Sequence, residues 1–435
     1  MTNGVNVREL ILQVLLEVTR DGEYSHIAIK NTLDKYQYLE KQERSFFTRV
    51  CEGTLENMIL IDYIINRFSK VKVNKMKPVI RCILRSSVYE MKYMDSVPVS
   101  ATCNEAVKLA QKKGFHNLKG FVNGVLRTIS RNLENIPMPE KETEPVTWLS
   151  VTYSLPEWLV EKWLKQYELA QVEEVAQAFL EKSATSIRVN TEVTTKEALI
   201  KELEEEHITV IENTEVPNAL YIENYDFLAG IPAFEEGKFY VQDVSSMLVS
   251  LWAEPKEGAQ VLDVCAAPGG KSIHMAELLH GTGMVEARDL TEYKVSLIEE
   301  NIERCGLKNI CAKQADARIL EKDKIGTMDV VIADLPCSGL GVIGKKPDIK
   351  YKMTAAKCQE LAALQREILH TVQHYVKAGG VLMYSTCTIN PQENEDNVRR
   401  FLKEHSEFVL EKQQQILPGK GKNDGFFLAR LVRRS

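Results

Sequence analysis

Apolar residues recur at intervals of three and four over the first third of the chain. The clearest runs are Leu10, Ile11, Val14, Leu15 and Val18, and then Val79, Ile83, Val88 and Met91. This spacing places apolar side chains on one helix face, and no strand-like alternation interrupts it between residues 5 and 135. A segment at 136–145 with three prolines then breaks the pattern, which is typical of a linker. We therefore predict an all-helical N-terminal domain at residues 1–138.

The middle of the chain combines helical and strand patterns on a small scale. Helical spacing at 157–166 and 170–181 is followed by an alternating run at 185–190, a helix at 196–206, and strands at 208–211 and 219–223. This order predicts linker helices and then a small α/β module, which we assign to residues 139–238.

The last part of the chain alternates strands and helices at regular intervals. The predicted strands are 261–264, 284–288, 309–312, 329–333 and 381–385, with helices at 272–279, 292–304, 355–376 and 392–405. Such alternation predicts a mostly parallel, doubly wound, Rossmann-like α/β domain, assigned to residues 239–435. Ligands of these sheets bind at the carboxyl ends of the strands, so those positions are where functional residues are expected.

Length and composition agree with a multidomain globular protein. The chain has 435 residues, of which 44% are hydrophobic and 27% charged. It contains no run of about eighteen apolar residues, which a membrane helix needs. The first residues show no basic stretch followed by an apolar one. We therefore expect no secretory signal, no membrane partner, and a cytoplasmic, monomeric protein.

Nine cysteines are distributed singly, without a C-x-x-C pair that would suggest zinc or redox chemistry. Six of them are expected to be small buried side chains: Cys51, Cys82, Cys103, Cys305, Cys311 and Cys358. His370 and His374 lie four residues apart on a predicted helix, but the glutamate of H-E-x-x-H is missing. We assign no metal.

Positive charge is concentrated in one part of a chain whose net charge is −6. The window from Arg67 to Arg131 contains 14 lysines and arginines against 3 acidic residues, a difference of +11. Segregation of this kind is typical of a surface that binds a polyanion. A solvated helical surface is the alternative interpretation, and the charge pattern alone leaves both open.

A glycine-containing loop, "DVCAAPGGKS", follows the first predicted strand of the C-terminal sheet. A phosphate-binding Walker loop would need glycine where Cys265 stands. The dinucleotide motif G-x-G-x-x-G is also incomplete, and Pro268 removes one backbone donor. The loop therefore favours a nucleoside cofactor that carries no phosphate.

Acidic residues at the next two strand ends narrow the choice of cofactor. Asp289 lies twenty residues beyond Gly269, where a carboxylate can accept both ribose hydroxyls. Asp316 follows the third strand and can accept from the amino group of an adenine. A glycine loop, a ribose acid and an adenine acid in this order are typical of S-adenosylmethionine sites.

Two cysteines follow neighbouring strand ends later in the sequence. Cys337 follows the fourth strand in "ADLPCSG", and Cys387 follows the fifth in "YSTCTI". If these strands are adjacent, their backbones lie about 4.8 Å apart and both thiols can reach one substrate ring. Methylation at C5 of a pyrimidine needs a thiolate that adds at C6, because the aromatic C5 is a poor nucleophile. Asp334 can pair with the exocyclic amine and N3 of a cytosine.

These three motifs, "DVCAAPGGKS", "ADLPCSG" and "YSTCTI", resemble the RNA 5-methylcytosine methyltransferases of the NOL1/NOP2/Sun family. The basic helical N-terminus resembles the NusB antitermination domain. Together they cover nearly the whole chain and resemble the bacterial branch of the family, which implies S-adenosylmethionine as cofactor and a specific cytosine of 16S ribosomal RNA as substrate. The helical domain and the small module are then expected to bind the RNA.

The resemblance also implies the roles of individual residues. Cys387 is the expected nucleophile, Cys337 assists release of the methylated base, and Asp334 completes the catalytic set. The expected cofactor shell is Cys265, Ala266, Ala267, Pro268, Gly269, Gly270, Lys271, Asp289, Asp316 and Asp334. Transfer RNA is the main rival substrate, and a non-catalytic RNA-binding protein is the rival function.

Overall fold

The N-terminal helical pattern is realised in the computed structural model, which describes residues 5–181, 184–419 and 423–435. Its helices are α1 Val7–Thr19, α2 Ser25–Lys35, α3 Lys41–Glu56, α4 Met58–Phe68, α5 Pro78–Tyr93, α6 Val99–Lys112, α7 Lys119–Asn132, α8 Pro145–Thr152, α9 Glu157–Leu164 and α10 Leu169–Ala178. Helix α1 begins at Val7 because the Asn6 side chain caps it by accepting from the backbone N–H groups of Arg8 and Glu9. The apolar faces of α1 to α7 meet in one buried core.

The structure divides into two units, and each unit is built from two separate stretches of the chain. One unit, called here the helical unit, contains Met1–Glu181 and Ile343–Lys352, and the other, called the α/β unit, contains Lys182–Val342 and Met353–Ser435. The finer division into three domains at residues 138 and 238 stays a prediction.

The short segment Ile343–Lys352 packs within the helical unit, although the residues on either side of it belong to the α/β unit. Its last four residues form α16, Ile349–Lys352. The Lys350 ammonium donates to the Glu56 carbonyl at 2.6 Å, and the Tyr351 hydroxyl donates to the Leu55 carbonyl at 2.7 Å. Burial lowers the pKa of Lys350 to about 7. The segment is therefore an internal part of the helical unit.

The predicted small module forms a four-stranded antiparallel sheet in the order β2-β3-β1-β4. Its elements are β1 Thr185–Val189, α11 Lys196–Glu205, β2 Thr209–Glu212, β3 Ala219–Glu223, α12 Pro232–Glu235 and β4 Phe239–Val241. Leu199 and Leu203 of α11 pack on the buried face of the sheet. The sheet extends past residue 238, since β4 pairs with β1.

The larger sheet has seven strands in the order β10-β11-β9-β8-β5-β6-β7. Its elements, with the helix that precedes it, are α13 Val244–Ala253, β5 Gln260–Asp263, α14 Gly270–Leu278, β6 Met284–Asp289, α15 Glu292–Cys305, β7 Ile310–Gln314, β8 Met328–Asp334, α17 Ala355–Val372, β9 Val376–Thr386, α18 Glu395–Glu404, β10 Phe408–Ile416 and β11 Phe426–Arg433. Strands β5 to β9 pair in parallel, whereas β11 joins β9 in antiparallel and β10 joins β11 likewise. The predicted mostly parallel, doubly wound sheet is confirmed, and the C-terminal hairpin is an addition that the sequence pattern did not predict.

The sheet also corrects one expectation about the cysteines. Cys51, Cys82, Cys103, Cys305 and Cys358 are buried, but Cys311 is exposed. Cys311 lies on β7, the edge strand, where alternate side chains face solvent. Among the described residues, no helix combines the length and apolar character needed to cross a membrane.

Candidate active site

The two cysteines meet at the carboxyl ends of β8 and β9. These strands pair in parallel with Asp334 opposite Ser385, so the residues that follow leave the sheet side by side. The Sγ atoms of Cys337 and Cys387 lie 3.2 Å apart, and both side chains are half-buried. The Gly341 N–H donates to the Cys387 carbonyl at 3.1 Å, which ties the two loops together below the sulfurs. One small substrate group can therefore be reached by both thiols.

The environment of the pair favours a proton on Cys337. Its hydrogen bond to Cys387, together with burial and the negative charges of Cys387 and Glu393, raises the pKa of Cys337 well above its usual range. At neutral pH Cys337 is thus a neutral thiol that can donate a hydrogen bond to the sulfur of Cys387.

A partly buried ion pair lies beside the cysteines. The Lys271 ammonium lies 2.7 Å from Oδ2 of Asp334, and the Ser385 hydroxyl donates to Oδ1 of Asp334 at 2.7 Å. Burial alone would lower the pKa of Lys271, but the charge and hydrogen bond of Asp334 outweigh it and raise the pKa overall. Lys271 and Cys387 also interact through their charges, so the cation favours a thiolate on Cys387.

The glycine loop connects β5 to α14 and is fixed from both sides. Asp263 at the end of β5 is fully buried and accepts from the Ser272 hydroxyl at 2.6 Å, and burial raises its pKa to about 7. Gly269 has φ +109° at the start of α14, a conformation that L side chains rarely adopt. The Tyr240 hydroxyl donates to the Pro268 carbonyl at 3.1 Å. The loop is therefore a preformed turn at the strand end.

The known proteins that this chain is similar to agree with this arrangement. The family described as 16S rRNA methyltransferase RsmB/F matches residues 250–432, the NusB family matches residues 5–131, and the RsmF/B-like ferredoxin-like domain matches residues 155–226. The "Probable ribosomal RNA small subunit methyltransferase B" of Bacillus subtilis (strain 168) is 36% identical over 99% of both chains. This chain belongs to the RsmB/F family of 16S rRNA methyltransferases.

Other relatives extend the similarity over the same length. The "Probable ribosomal RNA small subunit methyltransferase B" of Synechocystis is 31% identical over 99% of this chain and 100% of the relative. A crystal structure of PH0851 is 29% identical, with a TM-score of 0.83 over 98% of both chains. The structure of NSun6 from Pyrococcus horikoshii with SFG is 26% identical, with a TM-score of 0.60 over 64% of this chain and 98% of that one.

In this RsmB/F family chain, Asp289 lies against the glycine loop at the end of β6. Its Oδ2 accepts from the Ala267 N–H at 3.1 Å, and its Oδ1 accepts from Lys294 at 2.9 Å. Oδ1 also accepts from the Leu290 N–H at 2.7 Å, so Oδ2 is the oxygen that can accept a further hydrogen bond. Cys265 and Ala266 begin the loop, and the Ala266 N–H donates to the Arg288 carbonyl at 2.7 Å. Burial raises the pKa of Cys265, which makes it an unreactive thiol.

Asp316 follows β7 and is partly exposed. Its two oxygens accept from the Arg318 side chain at 2.6 to 3.2 Å, and this hydrogen bonding lowers the pKa of Asp316. The carboxylate is thus ionised and oriented at the end of β7.

The charged side chains around the glycine loop fit S-adenosylmethionine better than a cofactor that carries phosphate. Three carboxylates would repel phosphate groups here: Asp289 and Asp334 are the last residues of β6 and β8, and Asp316 follows the end of β7. Carboxylates are suitable acceptors for ribose hydroxyls, an adenine amine and an ammonium group. The loop backbone from Cys265 to Lys271 lies beside them.

Sequence reasoning does not identify the full role of two residues that shape this site. The motif assigns Lys271 only to the cofactor shell, although its ammonium pairs with Asp334. Glu393 is not singled out by any motif, although its buried carboxylate binds the loops of both cysteines. The charged stretch "PQENED", which contains Glu393, is the sequence feature that indicates this residue, because a glutamate so close to a strand end is well placed to face the site.

Proposed function

We propose that this chain uses S-adenosylmethionine to methylate C5 of a specific cytosine in 16S ribosomal RNA, through a covalent bond between Cys387 and C6. The observation that carries the proposal is the 3.2 Å separation of the Cys337 and Cys387 sulfurs, next to the Asp334 carboxylate. The ribosomal substrate is supported by relatives named small subunit methyltransferase B.

The first step is attack by the Cys387 thiolate on C6, which forms the C6–S bond and moves the C5=C6 electron pair toward C5. Lys271 stabilises the thiolate by its charge. Asp334 accepts a hydrogen bond from the exocyclic amine and so selects cytosine over uracil, which presents an acceptor at that position. S-adenosylmethionine, when bound, supplies the methyl group that C5 takes up.

The second step returns the enzyme to its starting state. Water accepts the proton from C5, the C5=C6 double bond forms again, and the C6–S electron pair returns to the Cys387 sulfur. Cys337 is a neutral thiol 3.2 Å from that sulfur. Its S–H donates to the departing thiolate and lowers the cost of breaking the C6–S bond.

The proposal is tested with the full chain, 16S ribosomal RNA transcript and methyl-labelled S-adenosylmethionine. We expect 5-methylcytosine at one position, located by bisulfite sequencing of the product. Total transfer RNA serves as the competing substrate. Methylation confined to transfer RNA would contradict the assigned substrate, and absence of methylation together with absence of S-adenosylhomocysteine binding would favour a non-catalytic RNA-binding protein.

The helical unit is proposed to bind RNA through part of the basic window. Arg85 does not face solvent, because it is buried in an ion pair with Asp62 at 2.6 Å. Lys112 and Lys113 are both paired with Glu9. The exposed lysines of the window between α4 and α5 are Lys70, Lys72, Lys75 and Lys77, called here the lysine cluster. Their ammonium groups can contact phosphates.

Replacing the four residues of the lysine cluster by glutamine should weaken RNA binding and reduce its salt dependence. Each lost phosphate contact reduces the magnitude of the negative slope of log K against log salt concentration by roughly 0.7 to 0.9. Filter binding across a range of salt concentrations measures both quantities. The matched control replaces Lys112 and Lys113, which share the single Glu9 carboxylate as their partner, and should weaken binding less than the cluster variant does. Equal RNA affinity of the cluster variant and the unaltered chain at low salt would show that the lysine cluster does not bind RNA.

A further inference from the structure

Glu393 occupies a fully buried position behind the two cysteines. It follows β9 by seven residues and precedes α18. Its carboxylate accepts four hydrogen bonds, which is the behaviour of an ionised group. Oε1 accepts from the Ser338 hydroxyl at 2.5 Å and the Asn390 amide at 2.6 Å. Oε2 accepts from the Ser338 N–H at 2.8 Å and the Gln365 amide at 3.1 Å.

These contacts connect the two loops that carry the sulfurs. Ser338 directly follows Cys337, and Asn390 lies three residues after Cys387. The Ser338 hydroxyl is also 2.8 Å from the hydroxyl of Thr388, the residue next to Cys387. The Gln365 amide, which bonds Glu393, donates in addition to the carbonyl of Pro336 at 2.9 Å. Both cysteines thus have an immediate neighbour in one buried network.

We propose that Glu393 is a positioning residue for release of the methylated base: its carboxylate holds the Cys337 loop against the Cys387 loop and keeps the two sulfurs in contact. This inference rests on the proposed cysteine mechanism. Glu393 acts only through its neighbours, because its oxygens are bonded to protein donors and its side chain is not exposed.

The charge of Glu393 acts in the same direction as its hydrogen bonds. The hydrogen bond to Cys387 and burial are the largest causes of the raised pKa of Cys337, and the negative charges of Cys387 and Glu393 raise it further. Lys271 meanwhile interacts with Cys387. An anion therefore lies near one sulfur and a cation near the other. The Glu393 carboxylate keeps Cys337 protonated as a hydrogen-bond donor. The Lys271 ammonium favours the thiolate of Cys387 as nucleophile and leaving group.

Glu393→Gln tests the inference, because it keeps the size of the side chain but turns an amide group toward donors. We expect the full chain with this substitution to methylate RNA in the first turnover and then to accumulate a covalent protein–RNA adduct, visible as a slow band on a denaturing gel. Steady-state turnover should fall roughly 100-fold, as expected when reacting groups are displaced by about 1 Å. A loss of fold would remove the adduct and cannot produce this result.

The control variant is Glu395→Gln, which alters the next glutamate of the same stretch and should turn over normally. Cys337→Ala is the positive control for the adduct. If Cys337→Ala accumulates adduct while Glu393→Gln turns over at the normal rate, or loses methyl transfer while still binding S-adenosylhomocysteine, the role of Glu393 is wrong and the cysteine mechanism stands. If Cys337→Ala forms no adduct, the cysteine mechanism itself fails.

Ser338→Ala provides an independent variant in case Glu393→Gln does not fold. It removes the hydroxyl contacts to Glu393 and Thr388 but leaves the carboxylate with its other donors. We expect adduct accumulation in the same direction and to a smaller extent. Normal turnover of Ser338→Ala, when Glu393→Gln fails to bind S-adenosylhomocysteine, would overturn the inference.

Discussion

Cys387→Ala should abolish methylation of 16S ribosomal RNA, whereas Cys337→Ala should leave the protein covalently attached to it. Without the Cys387 sulfur, no addition at C6 occurs and C5 stays unreactive, so the rate should fall by at least roughly 10⁴-fold, as when other nucleophiles are removed. Without Cys337, addition and methyl transfer proceed, but the departing thiolate loses the donor that lies 3.2 Å away. Denaturing gels with labelled RNA distinguish the two outcomes.

Cys311→Ala is a suitable control for these variants, because this thiol is exposed on the edge strand β7, away from the β8 and β9 ends. It should behave as the unaltered chain does. Adduct with Cys387→Ala, or normal turnover with Cys337→Ala, would show that the roles of the two cysteines are wrongly assigned.

Asp334→Asn should lower kcat/KM for RNA by roughly 10²- to 10³-fold, the usual effect of removing one preorganised polar contact to a reacting group. The asparagine cannot present two acceptor oxygens to a cytosine amine and to Ser385. It also removes the charge that holds Lys271 at 2.7 Å. With that charge gone, burial lowers the pKa of Lys271 against weaker opposition, and the cation next to Cys387 is weakened.

Asp329→Asn is the matched control, since Asp329 lies on the same strand and forms a similar ion pair with Lys377 at 2.9 Å. It lies at the opposite end of β8 and should leave kcat/KM unchanged. The affinity for S-adenosylhomocysteine, measured by calorimetry, separates the two roles assigned to Asp334. Loss of cofactor affinity with an unchanged rate at saturating cofactor would limit Asp334 to the cofactor shell.

The positions of the site residues could be predicted because parallel sheets place their strand ends along one edge. Cys337 and Cys387, fifty residues apart in the chain, are therefore assigned to neighbouring positions by the order of the predicted strands. Their partners could not be assigned in this way. The contact of Lys271 with Asp334 depends on how far α14 reaches toward β8, and sequence spacing does not encode that distance.

The features that sequence reasoning missed have two physical causes, exposure at a sheet edge and burial of a helix on most sides. Strand β10 carries the polar run "EKQQQ", because it is an edge strand with one side exposed, and its pattern resembles that of a loop. Helix α13, "VSSMLVSLWA", is apolar on most sides, so helical spacing gives little contrast. Cys311 was predicted to be buried because cysteine usually is, but an edge strand leaves alternate positions uncovered.

The excursion of residues 343–352 into the helical unit limits how this polypeptide can be divided. A single cleavage near residue 182 would produce a fragment of the α/β unit that still carries those ten residues, now without the contacts from α2 and α3. Asp348 and Tyr351, eleven and fourteen positions after Cys337, would then lie in water. The two units of this protein are therefore expected to need co-expression when they are produced as separate chains. Exchange of the helical unit between relatives should succeed only when residues 1–181 and 343–352 are exchanged together.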